Sequence, residues 1–366
     1  MDRGFIIAWS VTFLQLAVRL GWGVVSVTMA ELLRLNPVQI GLVLTLFYIG
    51  YMTSSIPWGA LIDRFGPSKA ILVSGTLSSA VILMLFLANT FTQILLLYLM
   101  AGFLTAGLFP SAMKIASYST QEKVHSRVAM LESAAPIVLI ALSAASPLII
   151  THWRTFYLAI FLALLTASLS SIGLKVVSSK YARPKSVLMN LRVAKAVAIR
   201  AGELWGSWGT SSWLLPFLVL YDGIKGILPV LLFFIYSLGQ LISIFLASVL
   251  PKSIGERKVI EISLTAFIVC DFLAAILLKD TLLLFPIFLA LGISSFLYRP
   301  PTDVLIIKIM GNEYAGTSMG YANAVSQLGS MVAPIFVGFA ISISPILGVL
   351  SLALGPLISL IILYMI

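Results

Sequence analysis

Charge is what this chain has least of. Only 10% of its 366 residues are Asp, Glu, Lys or Arg, and 13 residues are acidic. A soluble domain carries about 25% charged residues, so this composition excludes a surface that water could wet all round. There is one cysteine, Cys270. That excludes an internal disulfide and leaves the redox compartment open. The two histidines, His125 and His152, stand far apart at loops and have no metal-ligand spacing. No phosphate-cradling glycine loop, nucleophile elbow or metal cluster occurs. ATP-driven transport and membrane-enzyme chemistry therefore find no support, and no cofactor or metal is expected.

What is present is apolar length. Hydrophobic residues make up 60% of the chain and the mean hydropathy is +1.09. Stretches of about 20 apolar residues recur throughout, each long enough to cross a bilayer as a helix. The first is too long for the core of a signal peptide and no small-residue cleavage site follows it, so it reads as a retained span. Twelve spans are expected, at residues 5–33, 37–62, 70–88, 91–118, 128–150, 155–177, 201–221, 227–250, 259–278, 282–309, 315–341 and 346–366. They leave no room for a soluble domain. The sizeable connection, 178–200, holds Lys180, Arg183, Lys185, Arg192, Lys195 and Arg200 and no acid. It reads either as an amphipathic helix on an anionic leaflet or as a solvated linker.

The basic residues set the orientation. With the N-terminus inside, 17 of the 23 fall on the cytoplasmic side; Arg34, Arg154, Lys225 and Lys279 fall outside, and Arg19 and Arg299 lie within spans. That bias puts both termini in the cytoplasm of a cell-membrane protein. It also accounts for the net charge of +10 without a nucleic-acid partner.

The chain repeats. Asp63-Arg64-Phe65-Gly66-Pro67-Ser68-Lys69, between spans 2 and 3, aligns with Lys252-Ser253-Ile254-Gly255-Glu256-Arg257-Lys258, between spans 8 and 9. Glycine and the final lysine fall in register. The expected architecture is all-α, with an N-terminal six-helix bundle over 1–177, a cytoplasmic basic linker over 178–200 and a C-terminal six-helix bundle over 201–366. Two such halves related by an axis along the membrane normal form a transporter arrangement, with substrate between them near the midplane.

The loop Gly59-Ala60-Leu61-Ile62-Asp63-Arg64-Phe65-Gly66-Pro67-Ser68-Lys69 resembles the signature of the major facilitator superfamily. Asn36-Pro37-Val38-Gln39-Ile40-Gly41 is similar to the family's start of span 2, and Trp153-Arg154-Thr155-Phe156 to its start of span 6. Gly316-Thr317-Ser318-Met319-Gly320-Tyr321-Ala322-Asn323, with Pro334 and Gly338, resembles span 11. Two features depart from the family's patterns. Tyr98 stands where span 4 often has arginine, and Ser133-Ala134-Ala135-Pro136 replaces the span 5 signature of drug–proton antiporters. The resemblance implies the family's twelve-helix fold and alternating access. It also implies a conformational gate at Gly59, Asp63, Arg64, Gly66 and Lys69, with Asp63 near 315–317. A carboxylate at that helix N-terminus gains about 0.3–1 kcal/mol. The alternative is that these residues satisfy only the charge bias and a tight turn.

The resemblance places the cavity on spans 1, 4, 7 and 10. Thr12, Gln15, Arg19, Trp22 and Ser26 share one face of span 1. An arginine at mid-span costs about 2.5–3.5 kcal/mol on insertion scales, so Arg19 faces the interior. There it either binds a carboxylate or phosphate through its planar fork or holds a structural partner. In span 10, Ser295, Arg299 and Thr302 share a face, and Asp303 can pair with Arg299 one turn back. Pro300-Pro301 predicts a break there. Asp303 is the candidate proton-coupling group. Tyr236, Gln240 and Asn323 are candidate substrate partners, with polar helix packing as the alternative. Trp205 is expected at the membrane interface, and Trp208 or Trp213 in the cavity. Asp271, in span 9, has no assigned role.

Together these readings indicate a monomeric secondary transporter in contact with membrane lipids and not an enzyme. It would move a small organic anion coupled to protons or another ion. Arg19 lies twenty residues before Gln39, a spacing similar to that of the superfamily's anion:cation symporters, although Leu16-Ala17-Val18 stands where they often carry Tyr-x-Asp. The alternatives are proton-coupled efflux of hydrophobic or cationic compounds, and a non-transporting sensor on a transporter scaffold. The latter would be expected to carry a signalling tail, and the chain ends within span 12. The orientation has a direct test. A cysteine placed at Ser186, in the central connection, should resist an impermeant thiol reagent applied to intact cells; efficient labelling would reverse the topology.

Overall fold

The computed structural model describes residues 2–117, 121–174, 191–278, 280–310 and 315–365, with side chains described outside 121–126, 281, 310 and 315–320. Lys180, Arg183, Lys185 and Lys279, and the side chains of 315–317 expected to face Asp63, lie outside the described residues.

Helices follow one another along the chain, and no strand occurs among the described residues. They are α1 (Arg3–Leu33), α2 (Pro37–Phe65), α3 (Pro67–Leu87), α4 (Phe91–Thr105), α5 (Leu108–Ser117), α6 (Gln121–Glu132), α7 (Ala134–Thr151) and α8 (Trp153–Leu169). There follow α9 (Leu191–Pro216), α10 (Leu228–Ile254), α11 (Glu256–Ile276), α12 (Thr281–Leu297), α13 (Arg299–Met310), α14 (Ala315–Ile343), α15 (Pro345–Leu350) and α16 (Leu354–Tyr364). Among the described residues, ten continuous or bent helical stretches are long and apolar enough to cross a membrane. Two further helices fall short of that measure. α8 is apolar but has 17 residues, and α9 carries Arg192, Lys195, Arg200 and Glu203 along its 26. Within the linker expected over 178–200, residues 191–200 are helical and form the first part of α9.

Local signals account for the boundaries. Asn36 and Gln39 exchange backbone-to-side-chain bonds of 3.0 and 2.9 Å at the start of α2, with Pro37 as its first residue. Thr90 and Gln93 do the same for α4. Asp2 caps α1 by accepting the Phe5 N–H at 2.8 Å and pairs with Arg127. That backbone bond, ahead of Arg127, holds the Asp2 carboxyl below the ordinary carboxylate range. The break expected at Pro300-Pro301 is present: α12 stops at Leu297, Tyr298 caps it, and α13 begins at Arg299.

Contacts divide the chain into two units, Met1–Leu35 with Leu42–Tyr181, and Asn36–Gly41 with Ala182–Ile366. Within the second unit, Gly41 lies against the Pro334 carbonyl and Gly338 against that of Pro37, so neither position has room for a side chain.

The repeat legible in the two loops extends through both units at an offset of 189–190 residues. Gly66 and Gly255 adopt nearly one conformation, φ 86 and ψ 159 against φ 81 and ψ 154. This region is open essentially to glycine alone. Gly50 and Gly102 bring α2 against α4: a Cβ on Gly50 would overlap the Leu99 carbonyl, and one on Gly102 the Phe47 carbonyl. Gly239 and Gly292 repeat this between α10 and α12, against Leu289 and Tyr236. Ser74 of α3 donates to the Leu104 carbonyl at 2.6 Å, and Ser263 of α11 to the Ser294 carbonyl at 2.8 Å. The apolar faces turned away from each unit repeat too: Val73, Met84 and Leu87 on α3, and Ile262, Leu273 and Ile276 on α11, are exposed. A lipid-facing helix presents such a stripe.

The glycine crossings separate scaffold from signature. Gly102→Ala or Gly292→Ala should lower thermal stability in detergent by about 1–3 kcal/mol through overpacking. Gly59→Ala should leave it unchanged, because a Cβ there meets nothing within 4 Å.

Candidate functional site

In the first unit, α1 is buried along most of its length. Arg19 is 6% exposed, and its guanidinium lies 5.5 Å from the centre of the buried Tyr48 ring on α2. A desolvated contact of this kind contributes about 2 kcal/mol and offsets much of the cost of placing the charge there. One turn on, Trp22 meets the edge of Tyr98 at 5.2 Å. The Tyr98 hydroxyl lies 2.8 Å from that of Tyr157 on α8. The structure thus brings Arg19 and Trp22 together with Tyr48 and Tyr98, and buries Gln15 one turn before Arg19. Thr12 and Ser26 share the face, but their hydroxyls donate to Ala8 and Gly23 carbonyls of the same helix.

In the second unit, charge gathers between α9, α13 and α14. Arg200, 2% exposed, donates from Nε to the Asp303 carboxylate at 2.7 Å and from Nη1 to the Ser326 hydroxyl at 2.6 Å. Asp303, which can pair with Arg299 within its own helix, has an ion-pair partner on α9. The side chain of Glu203, fully buried, accepts from Thr302, while its main-chain carbonyl accepts from Tyr298 at 2.9 Å. The Arg299 guanidinium lies 5.7 Å from the Trp208 ring and 5.1 Å from that of Phe296. Charge density in the sequence groups Arg200 with the linker and gives Glu203 little weight. A signal for Arg200 was available: Val193, Val197, Arg200 and Leu204 recur at helical spacing, and all are buried.

The other candidates separate. Gln240 donates to the Tyr236 hydroxyl at 2.9 Å and to Ser295 at 3.1 Å, and the Tyr236 hydroxyl lies 3.2 Å from that of Ser211. This network ties α9, α10 and α12 together, as polar helix packing does. Asn323 is half-buried on α14, one turn before Ser326. Trp213 donates to the Pro334 carbonyl at 2.9 Å. Trp205, expected at the interface, donates to the Ser351 carbonyl at 2.9 Å, beside the break between α15 and α16.

An ion pair anchors the signature loop to α5. Asp63 accepts from Lys114, at the end of α5, at 2.9 Å. The counterpart loop has an ion pair at other positions, Glu256 with Lys308 in the last turn of α13, at 2.7 Å. Arg64 lies over Phe65 at 5.1 Å, Lys69 is exposed, and Gly66 supplies the left-handed turn.

The sequence matches the Major Facilitator Superfamily family profile over residues 8–334. Two solved structures share the fold. One is a bacterial homologue of the human lysosomal transporter Spinster, in an inward-facing and occupied conformation, at 14% identity and TM-score 0.77, covering 99% of this chain and 94% of the other. The second is a point mutant of the nucleoside transporter NupG, at 16% identity and TM-score 0.79, covering 99% and 98%. No curated protein matches the sequence.

Breaking the buried pair has a defined cost. Arg200→Met strands the Asp303 carboxylate and should destabilise the purified protein by about 3–5 kcal/mol. Arg200→Met with Asp303→Leu should recover most of that loss, as read by thermal unfolding in detergent.

Proposed function

The chain belongs to the major facilitator superfamily, and on that premise we propose that it moves a small organic anion across the cell membrane by alternating access, coupled to protons. It is a transporter and not an enzyme. The observation that carries the anion reading is the pair of arginines held within the helices, Arg19 over Tyr48 and Arg299 over Trp208. Each presents a planar fork suited to a carboxylate or phosphate. In this reading Gln15, Trp22, Tyr236, Gln240 and Asn323 add hydrogen bonds and ring faces to the substrate. Asp303 carries the coupling proton: protonating it would dissolve its bond to Arg200 and release that guanidinium.

The remaining parts of the proposal follow the charge bias and the repeat. Twelve spans, α8 and α9 among them, form two six-helix bundles with both termini cytoplasmic. The protein works as a monomer among lipids. Gly59, Asp63, Arg64, Gly66 and Lys69 form the conformational gate, and Lys114 is the partner from which Asp63 must part when the gate moves. Efflux of a cation has less support, because the aromatic faces that would recognise one are taken by arginines.

The test is uptake into proteoliposomes under an imposed pH gradient. Arg19→Ala should lower anion affinity tenfold or more, the loss of a charge-assisted hydrogen bond. Arg19→Lys should restore only part of it. Asp303→Asn should spare exchange while abolishing the response to the gradient. Anion uptake unchanged in Arg19→Ala would defeat the anion site.

A further inference from the structure

Helices α7 and α8 are joined by the single residue His152, and both pack against α1. The Thr28 hydroxyl of α1 donates to the Ile150 carbonyl at 2.6 Å, which pins α1 to the end of α7. Farther from the turn the three helices enclose a cavity of about 450 Å³ within the first unit. Its floor is buried, with Ala17 from α1, Val138 and Leu142 from α7 and Ile160 from α8. Its rim is open. Leu148 is 70% exposed, and Ala141 and Ala159 are exposed as well. Alanine at 141, 145 and 159 leaves a groove where larger apolar residues would close it. One turn past Ala159, the exposed Leu162 continues the rim into the apolar outer face of α8.

The shape of the groove selects its occupant. It follows α7 over the fourteen residues from His152 back to Val138, about 21 Å at 1.5 Å each. One leaflet, headgroup region included, is about 20–22 Å deep, so a single lipid entering at the turn matches this length. Phe13 stands at the far end, with Trp9 stacked on it at 5.3 Å. The near end is polar. His152 and Thr155 line it, both exposed, and α8 starts there without a side-chain cap. Main-chain N–H groups at such a start favour a phosphate. Among the described residues no acidic side chain lines the groove to oppose one. A second protein fits less well: thirteen residues line the groove, against the roughly 20–30 a side of a stable protein interface.

We propose that this groove seats one tail of a membrane phospholipid, with the phosphate at His152 and Thr155. The lipid comes from the leaflet on the side of the α7–α8 turn. It is a resident of the protein and not its cargo, so the site stands whether or not the cargo is an anion. The groove backs the part of α1 that carries Arg19. Ala17 of its floor lies two residues before Arg19, and the Phe156 ring of its wall takes the space that a Cβ on Gly21, two residues after, would need. The seated tail braces that segment.

The test is native mass spectrometry of the full chain released from mild detergent, which reads bound lipid and oligomeric state together. The probe is dioleoylphosphatidylglycerol; diolein, with the same tails and no phosphate, is the comparison. The wild-type chain should retain one phospholipid, and diolein should bind about tenfold more weakly. Ala145→Phe puts a ring into the groove and should abolish retention; Ala159→Phe, at the exposed rim, serves if Ala145→Phe does not accumulate. His152→Leu with Thr155→Val should weaken the phospholipid about tenfold and leave diolein unchanged. A wild-type chain that retains no phospholipid, equal retention in the filled variant, or equal binding of phospholipid and diolein overturns the proposal. So does a wild-type dimer that the filled variant dissociates, which would assign the groove to a second copy.

Discussion

Every main-chain carbonyl in the hydrocarbon region must find a donor inside the protein, because lipid supplies none. Within a regular helix the next turn answers it. Where a helix bends or ends, a side chain must. At the α4–α5 bend, Trp58 donates to the Phe103 carbonyl at 2.9 Å and Ser74 to that of Leu104. At the α12–α13 break, Ser263 answers Ser294. The ends of the units are closed by cations. Arg3, opening α1, donates to the Ser170 and Ile172 carbonyls just beyond α8, and Lys195, in the first turns of α9, donates to the Met365 carbonyl after α16. A cation at a helix C-terminus is also favoured by the helix dipole. These basic residues therefore join the early helix α1 to the end of α8, and α9 to the end of α16.

The same constraint explains where the repeat survives. It is kept at positions where backbone meets backbone or a side chain meets a freed carbonyl: Gly50 and Gly239, Gly102 and Gly292, Gly66 and Gly255, Ser74 and Ser263. Each of these fails with almost any other residue. Side chains aimed into the interior diverge. Tyr51 of α2 corresponds by the same offset to Gln240 of α10, and Tyr98 of α4 to Phe288 of α12.

Most of the fold was legible from composition and period, since a span must be long, apolar and uncharged, and such stretches stand out. Gly66 and Gly255 were legible because a loop glycine in register signals a required backbone conformation, and the Arg299-Pro300-Pro301 break because proline cannot continue a helix. Arg200 was not, because charge density marked 178–200 as linker and charge alone does not distinguish a solvated arginine from one on a buried helical face. The Arg200 partner of Asp303 was hidden for a related reason. Spacing of i, i+4 offers Arg299 within the helix, whereas the bond is made to Arg200, which is 103 positions away in sequence. Partners so distant are set by packing, which helical periodicity does not encode.

The asymmetry of the two units is therefore chemical and not architectural. The first houses one buried arginine among aromatic rings. The second houses Arg200, Glu203, Asp303 and Asp271 on the same scaffold. Aromatic rings hold a guanidinium with no proton to lose, so the charge state around Arg19 is fixed. Carboxyls can gain or lose one, and the buried carboxylate hydrogen bonds lie in the second unit, while that of Asp63 with Lys114, in the first, lies at an exposed loop. The Arg200–Asp303–Ser326 bonds join α9, α13 and α14, and those helices flank the α12–α13 break. A change of charge at a carboxyl would thus reach a point where the backbone is already interrupted and can bend at the least cost in hydrogen bonds.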